Sequence, residues 1–156
     1  MKKLLFFSIT IISLILLQSC AMNQYLTTTE KSKVVNVDGK TKNELYIRAN
    51  TWMVETFTNA ESVIQFSDKE NGIVTGKYIM TTIITSTTTR HGVYSMIKIQ
   101  VKDGAAKITI TPESYQNNAN VFAGGISYPL EKMNSDIDAL INDFSKSIVE
   151  TENTDW

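Results

Sequence analysis

Residues 93–111 constrain this chain more than any other stretch. In "VYSMIKIQVKDGAAKITIT", Val93, Ser95, Ile97, Ile99 and Val101 alternate with Tyr94, Met96, Lys98 and Gln100, and Ile108 and Ile110 alternate with Lys107, Thr109 and Thr111. A period of two sends successive side chains to opposite faces of a strand. Asp103-Gly104, between the two runs, supplies the residues of a tight hairpin turn. One face of this pair is aliphatic and cannot stay in water, so the rest of the chain has to provide its cover.

Further strands surround the pair. Ile73 to about Thr88 is rich in Ile, Thr, Tyr and Val, with Arg90-His91-Gly92 as the break before the next strand. Residues 61–67 alternate around Val63, Ile64 and Phe66 and lead into "DKENG", a turn closed by Gly72. Val34, Val35 and Val37 form a short strand ending at Asp38-Gly39. Two helices supply the cover. Thr41 and Glu44 have capping-box spacing, and Leu45, Ala49, Trp52, Met53 and Phe57 share one face of a helix over about 41–57. Leu130, Met133, Ile137, Leu140, Ile141, Phe144 and Ile148 recur at helical spacing over about 130–149. Residues 113–129, "ESYQNNANVFAGGISYP", show no period, and a loop of that length in a compact domain is functional or disordered. The order β-α-β-β-β-β-α predicts an α+β fold, a curved antiparallel sheet of five strands with both helices on one face.

The first residues set the address. Lys2 and Lys3 precede an apolar run, Leu4 to Leu17, broken only by Ser8, Thr10 and Ser13. It is shorter than the roughly 18 apolar residues of a transmembrane helix and reads as a signal peptide over 1–19. Leu17-Gln18-Ser19-Cys20 resembles a bacterial lipobox, which implies cleavage before Cys20 and acylation of its sulfur and new amino terminus. Cys20 is the sole cysteine, so no intramolecular disulfide is available, and the sole histidine, His91, is far along the chain. Attachment is the role that suits this thiol. Residues 20–32 are then the lipidated cysteine and a tether, 33–150 the domain and 151–156 an acidic tail. "AMNQYLT" lacks an acidic cluster after the cysteine, so the expected location is the outer membrane, facing the periplasm. Without Lys2 and Lys3, 13 of the 15 basic residues remain against 16 acidic ones, a formal charge of −3. That balance and the export signal exclude a nucleic-acid partner, and no arginine or lysine array is expected on the sheet.

The segments "NELYIRANTWMVETF", "DKENGIVTG" and "IKIQVKDGAAKITIT" resemble a family of Gram-negative bacterial lipoproteins carrying a domain of unknown function. The resemblance covers about Val34 to Thr111 and implies a fold like that of the TATA-binding protein (TBP-like). It implies no activity, cofactor or site residue.

Candidate chemistry is sparse. His91, between Arg90 and Gly92, suits a solvated hairpin tip better than a general base. Asp68, Glu70 and Asn71 lack the further carboxylates of a calcium loop and suit a turn. Gly124-Gly125 lies in no phosphate-binding pattern and reads as a hinge. Thr81, Thr82, Thr85, Thr87, Thr88 and Thr89 read as a solvent-facing strand, and Trp52 as core. Neither a metal site nor a cofactor is expected. Tyr78, Met80, Tyr94 and Met96 are expected together on the sheet face away from the helices, where exposed aromatic and thioether groups mark a contact surface. The function expected is a non-enzymatic binding or assembly module, held on the membrane by its lipid. It would present this face and the 113–129 loop to an envelope protein or an apolar ligand. The alternative is an envelope hydrolase with a non-histidine mechanism, which needs a nucleophile, a base and an orienting group in reach.

Overall fold

The computed structural model describes residues 25–26, 28–57, 64–84, 89–117 and 126–150. Cys20, the signal peptide, the acidic tail, Gly124-Gly125 and most of the threonine-rich tip lie outside the described residues. The elements are β1 (Tyr25–Leu26), β2 (Lys31–Asn36), α1 (Lys42–Thr56), β3 (Ile64–Asp68), β4 (Ile73–Ile84), β5 (Arg90–Lys102), β6 (Ala105–Pro112), β7 (Tyr115–Gln116) and α2 (Leu130–Ser147).

Five strands form one antiparallel sheet in the order β2-β6-β5-β4-β3, as expected for the α+β fold. Gly104 (φ 73°) and Gly72 (φ 65°) take left-handed conformations in the turns after β5 and β3, which favours glycine there. Thr41 caps α1 through its predicted capping box, its hydroxyl accepting from the Glu44 amide while Glu44 accepts from the Thr41 amide at 2.8 Å. Leu45, Ala49, Trp52 and Met53 are buried on α1, and Met133, Ile137, Ile141 and Phe144 on α2. They close on Val93, Ile97, Ile99 and Val101 of β5 and Ile108 and Ile110 of β6. Trp52 packs edge-on to Phe144 (5.0 Å between centroids) and donates its indole N–H to Asp143 at 2.8 Å. Both helices cover one sheet face, and among the described residues the other is left open.

Two segments differ from expectation. Arg90, His91 and Gly92 belong to β5, because Ile84 pairs with Arg90 and Thr82 with Gly92; the long hairpin therefore turns before Arg90. The later part of the segment expected as a tether over 20–32 joins the domain. Tyr25–Leu26 pair with Tyr115–Gln116, Thr28 donates to the Pro112 carbonyl at 2.8 Å, and β2 opens at Lys31, which meets Asp138 of α2 at 2.8 Å.

Candidate functional site

Register determines what the open face displays, since residues paired across antiparallel strands point to the same side. Four rows run across the sheet: Ile73-Gln100-Lys107-Val34, Thr75-Lys98-Thr109-Ser32, Lys77-Met96-Thr111, and Ile79-Tyr94. Phe66 of β3 stands beside Thr75 and is 54% exposed; Val34, at the opposite edge, is 59% exposed. Tyr94 and Met96 are half-buried at the centre. The Lys77 ammonium lies 4.7 Å from the Tyr94 ring centroid, a cation–π distance, and also binds the Glu113 carboxylate. Lys98 and Lys107 are exposed. The face is thus mixed: Ile79, Tyr94 and Met96 cluster at one end, Ile73 and Val34 stand at the other, and threonines, Ser32, Gln100 and lysines lie between and beside them. This corrects the expectation that the sheet carries no lysine array: Lys77, Lys98 and Lys107 share the open face.

The expected quartet divides. Tyr94 and Met96 are on the open face, but Tyr78 and Met80 are not. Tyr78 pairs with Ser95, which is fully buried beneath the helices, and is itself 7% exposed with its ring 5.0 Å from that of Phe57. A register shift between Ile79 and Thr81 makes Met80 a bulge residue; its sulfur accepts from the Ser95 hydroxyl at 2.9 Å, and it packs against the core. The reason is parity. Gly76 opposite Ile97 and Tyr78 opposite Ser95 are locked to the helix side by the β5 alternation.

The described ends of the 113–129 loop are fastened on the helix side. Tyr115 and Tyr128 are buried, the Tyr115 hydroxyl donates to the Tyr128 carbonyl, and the Tyr128 hydroxyl donates to Asp136 of α2 at 2.8 Å. The Tyr128 amide donates to the Asn117 side-chain oxygen at 2.8 Å, and Lys132 pairs with Asp136. Burial raises the Tyr128 phenol well above its ordinary value, with the Asp136 carboxylate pushing it further. Burial pushes Tyr78 up to about 12. Burial alone would raise Asp136, but the hydrogen bonds from Lys132 and Tyr128 outweigh it and hold the carboxyl below its usual range. This cluster is a clasp: each hydroxyl that meets a partner fastens the described ends of the loop to each other or to α2. It was missed in the sequence because two tyrosines in an aperiodic segment carry no pattern, and their burial depends on the β1/β7 pairing.

The remaining candidates fall where turns and strands put them. His91 is exposed on β5. Asp68 accepts from the Asn71 side chain (2.8 Å) and amide (3.0 Å), which hold its carboxyl below the ordinary value, so it closes the β3–β4 turn. Among the described residues no group of three or more His, Cys, Asp or Glu side chains could hold a metal ion.

With this geometry in view, the chain matches over residues 32–116 the model of a family described as a domain of unknown function (DUF4468) with TBP-like fold. The match spans β2 to β7 with α1. A crystal structure of a DUF4468 family protein from Bacteroides ovatus ATCC 8483 is similar at a TM-score of 0.55 and 18% identity, covering 81% of this chain and 89% of that one. A crystal structure of a TBP-like protein from Parabacteroides distasonis ATCC 8503 is similar at a TM-score of 0.56 and 14% identity, covering 79% and 94%. At such identities the likeness is one of fold. Comparison with curated proteins finds no match.

Proposed function

The chain belongs to the DUF4468 family with the TBP-like fold, and on that premise we propose that it is an envelope lipoprotein working as a non-enzymatic binding module. In this reading residues 1–19 are removed, Cys20 carries the lipid, and the domain faces the periplasm from the outer membrane. Its contact surface is the open sheet face, centred on Tyr94 and Met96 and flanked by Ile79, Phe66 and Lys77. The partner is an envelope protein or a ligand with an apolar body, and the lysines favour one that also carries negative charge. Nucleic acid is disfavoured by export and by the acidic mature chain.

One observation carries the proposal. Both helices pack on one side of the sheet, while among the described residues the other side keeps Phe66 and Val34 more than half exposed on its two edge strands and Tyr94 and Met96 half-buried on its central strand. Exposed apolar groups collected on one face mark contact surfaces. The described ends of the 113–129 loop contribute as a support, through their clasp on α2, and residues 118–125, which lie outside the described residues, keep the role of rim in this reading. The hydrolase reading is the weaker one, because the buried phenol that meets a carboxylate, Tyr128 on Asp136, is committed to that clasp.

Two experiments test the proposal. Palmitate labelling of the wild type and of Cys20→Ser should show the label only in the former. Tyr94→Ser with Met96→Ser should abolish recovery of a partner from envelope extracts while the thermal midpoint stays close to wild type. Unchanged recovery would remove the sheet-face assignment.

A further inference from the structure

We infer, on the reading that Cys20 is acylated, that the sheet end carrying the β1/β7 pair rests on the bilayer and that Arg90, His91 and Ile126 form its contact with lipid headgroups. The first support is reach. Strand pairing begins at Tyr25, so at most the span from Cys20 to Tyr25 separates the lipid from the domain. Fully extended, that span covers about 17 Å, at the 3.3–3.6 Å per residue of an extended chain. β5, Arg90–Lys102, is roughly 40 Å long at the rise of an antiparallel strand. The anchor therefore holds the β1/β7 end of the domain near the membrane, and contacts made at that end decide whether the Asp103-Gly104 end stands away from it.

The register says which groups share the anchored end. The last β5–β6 pair is Ser95 with Pro112, so Arg90–Tyr94 project past the end of β6, alongside the segment that leads into β7. The Glu113 amide donates to the Tyr94 carbonyl at 2.9 Å, which fixes that segment against β5. Arg90 pairs with Ile84, and Ile84 in turn bridges to Ile126. Arg90 and His91 are exposed, and Ile126 is 55% exposed.

The chemistry of these side chains fits a headgroup layer. A guanidinium binds phosphate oxygens through paired N–H donors, and an imidazole adds a further donor. Ile126, across Ile84 from Arg90, can enter the boundary between headgroups and acyl chains, where buried apolar area and attraction to anionic lipid act together, while His91, paired with Ile83, serves the helix side of the same end. Of the acids at this end, Glu113 meets Lys77, Asp136 meets Lys132 and the Tyr128 hydroxyl, Glu30 accepts from the Thr111 hydroxyl at 3.0 Å, and Glu131 stands exposed in the first turn of α2.

Cys20 is the sole cysteine, and acylation consumes its thiol, so an introduced cysteine takes a fluorophore alone. The lipidated full chain, labelled at Ser127→Cys beside Ile126 or at Lys69→Cys in the β3–β4 turn of the opposite end, is reconstituted in phosphatidylethanolamine/phosphatidylglycerol vesicles bearing a nitroxide headgroup lipid. The expected result is loss of fluorescence at position 127 and none at position 69. Adding Arg90→Ser and Ile126→Ser should restore fluorescence at 127 while the protein still floats with the vesicles. Equal quenching at both positions, or none at either, in chain whose intact mass shows acylation would overturn the orientation. Quenching at 127 that survives the double substitution would overturn the assignment to Arg90 and Ile126. An unacylated Cys20 would overturn the anchoring reading, and this inference with it.

Discussion

Tyr78 and Tyr94 lie on neighbouring strands yet belong to opposite faces of the sheet, and the same substitution should separate them. Tyr78→Ser removes a buried ring from contact with Phe57, so it should cost about 3 kcal/mol, as truncating a large core aromatic does. Tyr94→Ser removes a half-buried ring whose main partner is Lys77 and should cost about 1 kcal/mol or less. Denaturant midpoints of the two variants check the assignment. A second consequence concerns alkaline pH. Burial pushes Tyr78 up to about 12 from the ordinary 10.0 and raises Tyr128 as well. In the window from pH 10 to about 12 the unfolded chain has released protons that the folded one still holds. The stability from keeping these phenols neutral is therefore fully present below pH 10 and is lost as pH rises through that window. The thermal midpoint should fall there, and Tyr78→Phe with Tyr128→Phe should flatten the fall.

The elements repeat the lesson through their ends and turns. Thr41→Ala deletes the α1 cap and should cost about 1 kcal/mol, read from thermal or denaturant unfolding. Bonds from the Thr41 amide, then its hydroxyl, then Lys40 hold the Glu44 carboxyl down at about 2. A depressed carboxylate stabilises the fold above its unfolded value, 4.5, and that contribution is lost as pH falls from there toward 2; Thr41→Ala should shrink it. Gly72 and Gly104 both have positive φ, but only Gly72 is crowded: an added Cβ would stand 2.5 Å from the Val101 carbonyl oxygen, whereas at Gly104 nothing lies within 4 Å. Gly72→Ala should therefore lower the midpoint by more than Gly104→Ala, and by over about 1 kcal/mol. These features were legible in the sequence because they are local: a capping box, a helical stripe and an alternating strand each fit within a few turns or residues. The face of Tyr78 was not. Along β4 both parities carry apolar or β-branched residues, so only pairing with Ser95, together with the bulge at Met80, assigns the sides. Likewise Tyr25–Leu26 is too short to show a period, and its burial partner lies far along the chain at β7.

At the scale of the molecule, the helices cover one side of the sheet, the other side carries the candidate contact groups, and β1 joins the chain to the domain from Tyr25 onward. On the proposal that Cys20 carries a lipid, that last arrangement distinguishes a domain swinging on a long tether from one seated close to its anchor. Residues 25–32 contribute the β1/β7 pair, the Thr28 bond to Pro112 and the Lys31 pair with Asp138. The exposed ion pair adds at most about 1 kcal/mol, and the hydrogen bond about 1 kcal/mol more. The core, however, is built from residues 37–148 almost entirely, with Leu26 and Val35 packed at its margin. A chain of residues 33–156 should therefore still unfold cooperatively, but with a stability at least about 1 to 2 kcal/mol below that of residues 21–156, since the β1/β7 pairing and the packing of Leu26 are lost with those two bonds. Urea titrations of the two chains, followed through Trp52 fluorescence, make the comparison. Equal midpoints would return residues 25–32 to the role of a free tether and, on the proposed lipidation of Cys20, would leave the domain free to swing. A lower midpoint with unchanged cooperativity would mean that residues 25–32 are part of the fold, so that under the same proposal anchoring and orientation are set by the same few residues.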